Sequence, residues 1–307
     1  MTRPDLSVII ASYNTSRITR DCVRSVLAES GGISIEVLVV DDASPDDSVA
    51  DLRREFPELT VLVNPVNVHY TKTNNRGLRE SNGRYAVLLN SDTIIREQAL
   101  SKLVAYMDAN PEVAACGPKL INPDGSTQYC IRSFPGVTVM VFQALNLQKI
   151  WPSNPVTNRY YHLDLDYDKT QDVESLGTTA FVIRREVFEK YGLLDEQFKI
   201  AFTDLAYCAM LRSHNARIVY VGEAVVEHLG SQSINLSSSD EVKSRAGGLR
   251  ALYDTYLCER DPKWKRPVVR AGISAWGWLR RIEHRLSKDK RVITGPGAPR
   301  VRSHNSN

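Results

Sequence analysis

The stretch Leu6-Ser-Val-Ile-Ile-Ala-Ser-Tyr-Asn-Thr-Ser16 and, after a helical interval, Ile35-Glu-Val-Leu-Val-Val-Asp-Asp42 decide the fold. Leu6 to Ala11 and Ile35 to Val40 are short, nearly unbroken apolar runs of strand length. Between them Asn14-Thr-Ser opens a segment in which Ile18, Cys22, Val23, Val26 and Leu27 recur at helical spacing. Strands this apolar need helices over both faces, so strand, helix and strand predict a βαβ unit in a parallel sheet.

The same alternation continues outward. Asp46 to Phe56 reads as a helix with Val49, Leu52 and Phe56 aligned, Leu59 to Val63 as a strand and Thr71 to Asn82 as a helical connection. Tyr85-Ala-Val-Leu-Leu is a fourth strand ending at Asn90-Ser-Asp-Thr, and a helix is expected from Gln98 to Ala109. Val113 to Asp172, rich in Pro, Asn, Tyr and Asp, is expected to be irregular and substrate-facing. Regularity returns with Ser175 to Arg184, a short helix near Arg185 to Tyr191, a helix from about Asp204 to Ser213 and a strand from Arg217 to Val221. The expected class is α/β, with a mostly parallel central sheet flanked by helices and the loops that carry chemistry at the strands' C-terminal edge.

With 307 residues, 42% hydrophobic and 24% charged, the chain can bury a large core. Its five cysteines are scattered without CxxC spacing, which argues against a disulfide framework or zinc site and for a reducing, cytoplasmic setting. The sequence before the first strand lacks a basic, then apolar, leader pattern, so no signal peptide is expected, and the apolar run Val137 to Leu147 is too short and too broken to cross a bilayer.

The net charge of +3 conceals an asymmetry, because residues 260–307 hold thirteen Lys or Arg against three Asp or Glu. Within that segment Ile273, Trp276, Leu279, Ile282 and Leu286 recur every three or four residues beside Arg270, Arg280, Arg281 and Arg285. This predicts a basic amphipathic helix that lies on an anionic leaflet or packs on the body or a second subunit. No nucleic-acid reader motif accompanies the charge. The expected division is a catalytic domain over 1–235, a helical basic extension over 236–294 and a disordered tail over 295–307.

Asp41 and Asp42 end the second strand where a nucleotide can reach them, although carboxylates there also serve as turn or helix caps. Asp92 has the same placement after the fourth strand and is a candidate for a divalent cation, which prefers one or two carboxylates plus phosphates and water. Asp204 opens a helix and is read either as a charge complementing the helix dipole or as a general base. His228, after Val225-Val-Glu, is either a metal ligand or an ordinary satisfied histidine.

Seven blocks in this order resemble the inverting family 2 glycosyltransferases of the GT-A fold, the rhamnosyltransferase-like members in particular. They are Ser7-Val-Ile-Ile-Ala-Ser-Tyr-Asn, Val39-Val-Asp-Asp-Ala-Ser, Asn74-Asn-Arg-Gly, Leu88-Leu-Asn-Ser-Asp-Thr, Gly177 to Phe188, the Thr203-Asp204 helix and Val225-Val-Glu-His. The resemblance implies a nucleoside diphosphate sugar donor, dTDP-L-rhamnose first and a UDP-sugar as the alternative. It also implies a glycan or lipid-linked acceptor and a divalent cation (Mg2+ or Mn2+); the expected setting is cytoplasmic, on the inner face of the cytoplasmic membrane where the basic helix lies on the leaflet.

By the same resemblance Tyr13, one or both of Asp41 and Asp42, Asn75 and Ser91 lie at the donor nucleotide, Asp92 holds the metal, and His228 is a metal or diphosphate ligand. Asp204 becomes the catalytic base. Thr203 stands where an acidic residue is usual, and Ala206 where a second Asp usually follows the base, which leaves a catalytically weakened sugar-binding relative as a rival. Val68-His-Tyr-Thr-Lys-Thr replaces a small, Gly-rich loop, so the donor pocket is expected to narrow or to gain a phosphate contact from Lys72. A dinucleotide-dependent oxidoreductase also begins with βαβ units, but the first strand here leads into Tyr13-Asn14-Thr15-Ser16 and not into a Gly-rich phosphate turn.

Overall fold

The computed structural model describes residues 3–29, 31–136, 138–139, 142, 147–151, 154–230 and 247–286, with side chains of the last helix as far as 279. The boundary expected at residue 235 and the tail expected from 295 lie outside these residues. The described chain forms two compact units, one of residues up to 132 with 166–230, the other of 133–165 with 247–286.

The first unit is built on a ten-stranded mixed sheet. Its first half is β1 (Leu6–Ser12), α1 (Ser16–Leu27), β2 (Ile35–Asp41), α2 (Ser48–Glu55), β3 (Thr60–Val63), α3 (His69–Glu80) and β4 (Tyr85–Asn90). β5 (Thr93–Arg96), α4 (Ala99–Ala109), β6 (Val113–Ile121), β7 (Thr127–Gln128) and β8 (Ile131–Arg132) follow. After the second unit's α5 (Leu147–Ile150) and α6 (Pro155–Tyr161), the chain returns as β9 (Gln171–Asp172), β10 (Ser175–Leu176), β11 (Ala180–Arg184), α7 (Arg185–Tyr191), α8 (Thr203–Ser213) and β12 (Arg217–His228).

The strand order is β3-β2-β1-β4-β11-β6-β12-β5, with β7 on β6 and β9 on β12. β1 to β4 are parallel, as the apolar runs predict, but β11 opposes both β4 and β6, and β5 opposes β12. Register matters more to function than the count of strands. Ser12 pairs with Asp41 across β1 and β2, and Ala11 pairs with Asn90 across β1 and β4. Three strands therefore end level, at the point where the strand order reverses, and the residues just beyond them share one crevice.

α3 lies close on this sheet because Gly77 faces β1: a Cβ at that position would stand 2.3 Å from Ile9 Cγ2. α1 covers the sheet with Thr19, Cys22, Val23 and Val26.

The expectation of irregular structure from Val113 to Asp172 is corrected by β6, a buried nine-residue strand in the middle of the sheet. Gly117 and Pro118 disguise it in the sequence. Proline cannot donate to a ladder, and β12 accommodates it with a shift of register between Val221 and Val225, opposite Pro118 and Lys119. Arg217 to Val221 and Val225-Val-Glu are consequently one strand, not two.

In the second unit, α9 (Arg266–Leu286) packs on the preceding helical segment through Arg270, whose Nε donates to Asp254 Oδ1 at 2.8 Å. Val269 and Ile273 are buried, whereas Val268, Trp278 and Leu279 are exposed. The stripe expected from sequence is thus divided at Leu279, and the side chains of Ile282 and Leu286 lie outside the described residues. Among the described residues no helix is long and apolar enough to cross a membrane.

Candidate active site

Beyond the level ends of β1, β2 and β4 lies a cavity of about 250 Å³, lined among others by Tyr13, Asp42, Tyr70, Ser91, Asp92 and His228. The turns around it hold Asn14, Ala43 and His69 at φ of 55°, 62° and 69°, a left-handed region that costs a side-chain-bearing residue about 1–2 kcal/mol. Such strain persists where surrounding contacts fix the backbone.

Those contacts divide the two acidic residues of β2. Asp41 is sealed from solvent, and its carboxylate accepts from the backbone N–H and the hydroxyl of Ser44. Ser44 Oγ in turn accepts the Asn14 N–H at 2.8 Å, which locks the turn beside Tyr13. Asp42 faces the cavity and accepts from Asn64 Nδ2 at 2.8 Å and from the backbone N–H groups of Val68 and His69, each at 2.9 Å. Its carboxyl lies at the start of α3, where free N–H groups favour negative charge.

Asn75 is buried in the opposite direction: its Nδ2 donates to Leu194 O at 2.8 Å and Glu196 Oε1 at 3.0 Å, and its Oδ1 accepts the Leu194 N–H at 3.0 Å. It staples the loop after α7 to α3 and is not among the cavity-lining residues. Lys72 is half exposed, 4.0 Å from Glu196, and does not line the cavity either.

Asp92 and His228 meet through strand pairing. β12 and β5 pair His228 with Thr93, the Leu229 N–H donates to Asp92 O at 2.9 Å, and His228 Nε2 stands 3.3 Å from Asp92 Oδ1. Two ligands on adjacent positions of an octahedral ion, each at about 2.1 Å, lie about 3 Å apart, so this pair fits a small divalent cation. Among the described residues no group of three or more His, Cys, Asp or Glu that could hold a metal ion is found.

Asp204 is partly open to solvent as a residue, yet burial holds its carboxyl above the ordinary carboxylate range; its Oδ1 accepts the Leu205 N–H at 2.9 Å. Thr203 does not act as a second acid beside it. Its hydroxyl lies 2.8 Å from that of Thr71 and 3.2 Å from Ile200 O, tying the loop before α8 to α3. Ala206 is buried in the core, where a carboxylate would be costly.

Tyr70 was not singled out from the sequence. Its ring lines the cavity, and its hydroxyl donates to Thr178 O at 3.0 Å and Asn90 Oδ1 at 3.2 Å. Burial, with the nearby charges of Asp204 and Asp92, pushes its proton loss far above the usual tyrosine range. The departure of this loop from the small, Gly-rich pattern is the only signal in the sequence that points to it.

Comparison with known proteins follows the same lines. A family model described as glycosyl transferase family 2 matches residues 7–192. The O-antigen biosynthesis protein RfbC of Myxococcus xanthus is 26% identical over 75% of this chain and 18% of its own length. An N-acetylglucosaminyl-diphospho-decaprenol L-rhamnosyltransferase of Mycobacterium tuberculosis is 24% identical over 77% of this chain and 78% of its own. The chain therefore spans about a fifth of the first relative and about a quarter of an uncharacterised Sinorhizobium fredii protein, y4gI, that it also matches. Among solved structures, GalNAc-T7 with UDP, GalNAc and Mn2+ superposes with a TM-score of 0.61 at 16% identity, over 92% of this chain and 55% of that one. The Pyrobaculum calidifontis mannosyltransferase PcManGT with GDP-Man and Mn2+ gives 0.55 at 15%, over 94% and 77%. These likenesses establish the GT-A fold.

Proposed function

The chain belongs to glycosyl transferase family 2, and from that premise we propose that it moves a sugar from a nucleoside diphosphate to a hydroxyl of a glycan or lipid-linked glycan in bacterial cell-surface polysaccharide synthesis, with inversion at the anomeric carbon. The observation that carries this reading is one cavity lined by Tyr13, Asp42, Ser91, Asp92 and His228; Asp204 is not among its lining residues and is assigned by the family resemblance and its buried carboxyl.

We assign the base and ribose to Tyr13 and Asp42, and the diphosphate side to Ser91, Asp92 and His228. Asp41 and Asn75 act from behind, holding the turns in place. A divalent cation, when bound by Asp92 and His228, supplies positive charge against the departing diphosphate. The acceptor oxygen bonds to the anomeric carbon as the bond to the diphosphate oxygen breaks, and the electron pair leaves with the diphosphate. The hydroxyl proton passes to the Asp204 carboxylate, whose raised affinity for a proton suits a general base.

The rhamnosyltransferase relative favours dTDP-L-rhamnose as donor, with a UDP-sugar as the alternative. Calorimetric titration of dTDP, UDP and GDP, with and without Mn2+, tests the reading. Metal-dependent binding of one of them supports it and names the donor base; no binding of any of them overturns it. Turnover of the matching nucleotide sugar, assayed with a polyprenyl diphosphate-linked acceptor, then separates a working transferase from a weakened relative.

For the basic extension we propose contact with the anionic inner face of the cytoplasmic membrane. Trp264 and Trp278 are 74% and 57% exposed on a segment with an excess of basic residues, each worth about 1 kcal/mol near an anionic leaflet. Sedimentation with phosphatidylglycerol vesicles, and not with phosphatidylcholine vesicles, is the expected result. Binding unchanged by Trp264→Ser with Trp278→Ser would refute it.

A further inference from the structure

The hairpin between β6 and β7 lies next to His228, and its hydrogen bonds run in one direction. The turn reads Asn122-Pro-Asp-Gly-Ser126, with Gly125 at φ 81°, a conformation that glycine adopts without steric cost. Ser126 Oγ donates to Asp124 Oδ1 at 2.5 Å. An ionised carboxylate only accepts, so this hydroxyl is committed as a donor and its oxygen is left to accept.

It accepts from Asn122 Nδ2 at 2.9 Å, which turns the Asn122 carbonyl oxygen toward Gln128 Nε2 at 3.0 Å. The Gln128 amide is thereby oriented too, and its Oε1 lies 2.6 Å from His228 Nδ1. Facing a carbonyl oxygen, Nδ1 must carry the proton and donate. With Nδ1 committed to Gln128, the neutral ring has its lone pair on Nε2, and a proton that Nε2 donates to Asp92 Oδ1, 3.3 Å away, is the one a cation displaces.

We propose that Gln128, oriented by Asn122, Ser126 and Asp124, is a positioning residue that fixes the His228 tautomer and so prepares Nε2 to ligate the cation held with Asp92. The inference rests on the metal reading given above and extends it to four residues of the hairpin. A metal-bound imidazole needs its free nitrogen outward and its other N–H anchored, and loss of such an anchor typically lowers metal affinity 10–100-fold. A glutamate at 128 keeps an acceptor opposite Nδ1, whereas a leucine removes it.

The test uses the full chain. Mn2+ affinity is measured by electron paramagnetic resonance in the presence of dTDP, UDP or GDP in turn, for wild type, Gln128→Leu, Gln128→Glu and His228→Ala. Imidazole tautomers are read in metal-free, 15N-histidine-labelled protein by long-range 1H–15N spectra, with His228→Ala providing the assignment. Read at a pH high enough for the ring to be neutral, the expected result is an Nδ1–H tautomer in wild type and Gln128→Glu. In Gln128→Leu the Nε2–H form should appear and Mn2+ should bind about 10–100-fold more weakly. If wild type binds Mn2+ through His228 but Gln128→Leu matches it in affinity and tautomer, the positioning role is refuted and the metal reading stands. If wild type binds no Mn2+ with any of the nucleotides, both fall.

Discussion

His228 reaches within 3.3 Å of Asp92 because the antiparallel pairing of β12 with β5 sets it opposite Thr93, the residue after Asp92. The two side chains are joined by register, so each can be removed without undoing the sheet that holds the other. Asp92→Ala is expected to abolish metal-dependent nucleotide binding in calorimetry. His228→Ala should weaken it and leave the metal-independent part intact. Equal nucleotide affinity with and without Mn2+ in wild type, unchanged by either substitution, would dissociate the pair from donor binding.

Asp204 separates chemistry from binding. Asp204→Asn keeps the shape and is expected to lower kcat by about 10²–10⁴-fold, the usual contribution of a general base, while nucleotide affinity holds. Because burial raises the carboxyl's pKa, the acid limb of kcat should lie above the range of an exposed aspartate. The same shift has a sign for stability: a carboxyl raised on folding contributes stability below its unfolded pKa that is lost as pH rises through the folded value. At pH 7 the ionised group therefore works against the fold. Asp204→Asn should raise the unfolding temperature there, by an amount that shrinks as pH falls toward the ordinary carboxylate range. Full activity in the variant would remove Asp204 as the base.

Asp42 is expected to matter for both stability and binding, since its carboxylate satisfies two backbone N–H groups, Val68 and His69. Asp42→Ala strands the Val68 N–H, at about 1–3 kcal/mol if it stays dry, leaves the His69 N–H only its 3.2 Å bond to Asn67 Oδ1, and frees the turn that carries His69 and Tyr70 into the cavity. Asp41→Asn retains an oxygen for Ser44 and lies outside the cavity lining, so it should leave nucleotide affinity near that of wild type. Denaturant unfolding and nucleotide titration on the two variants give the comparison. A larger loss of affinity in Asp41→Asn would reverse the assignment.

How much of this was legible in the sequence depends on how far each feature reaches along the chain. β1, β2 and β4 declare themselves locally, because strands buried on both faces are apolar throughout, and the carboxylates at their ends were found with them. Partnerships made by pairing were not legible: nothing local shows that β5 exists, or that it brings Asp92 beside His228. β6 was hidden by a proline that only a register shift in β12 makes tolerable, and with it the hairpin that carries Gln128. Asp41 and Asp42 are adjacent and chemically alike, and only the direction of each side chain distinguishes the one that binds a turn from the one that faces the cavity.

The packing of α3 on β1 gives a prediction independent of any ligand. Gly77→Ala has two opposing consequences. Alanine in a helix interior is favoured over glycine by about 0.5–1 kcal/mol, but its Cβ would stand 2.3 Å from Ile9 Cγ2 and 3.3 Å from Val40 Cγ2, inside a sheet that cannot yield locally. Overpacking of this kind costs about 1–3 kcal/mol, so the substitution should be net destabilising despite its better helix propensity. Ile9→Ala opens a cavity and destabilises the fold by itself, at about 2–5 kcal/mol. In the double variant the new methyl enters the space that Ile9 vacates, so the combined loss should fall short of the sum of the two single losses. Additive losses across this cycle in urea denaturation would mean that α3 is held away from β1 by some contact other than Gly77 on Ile9.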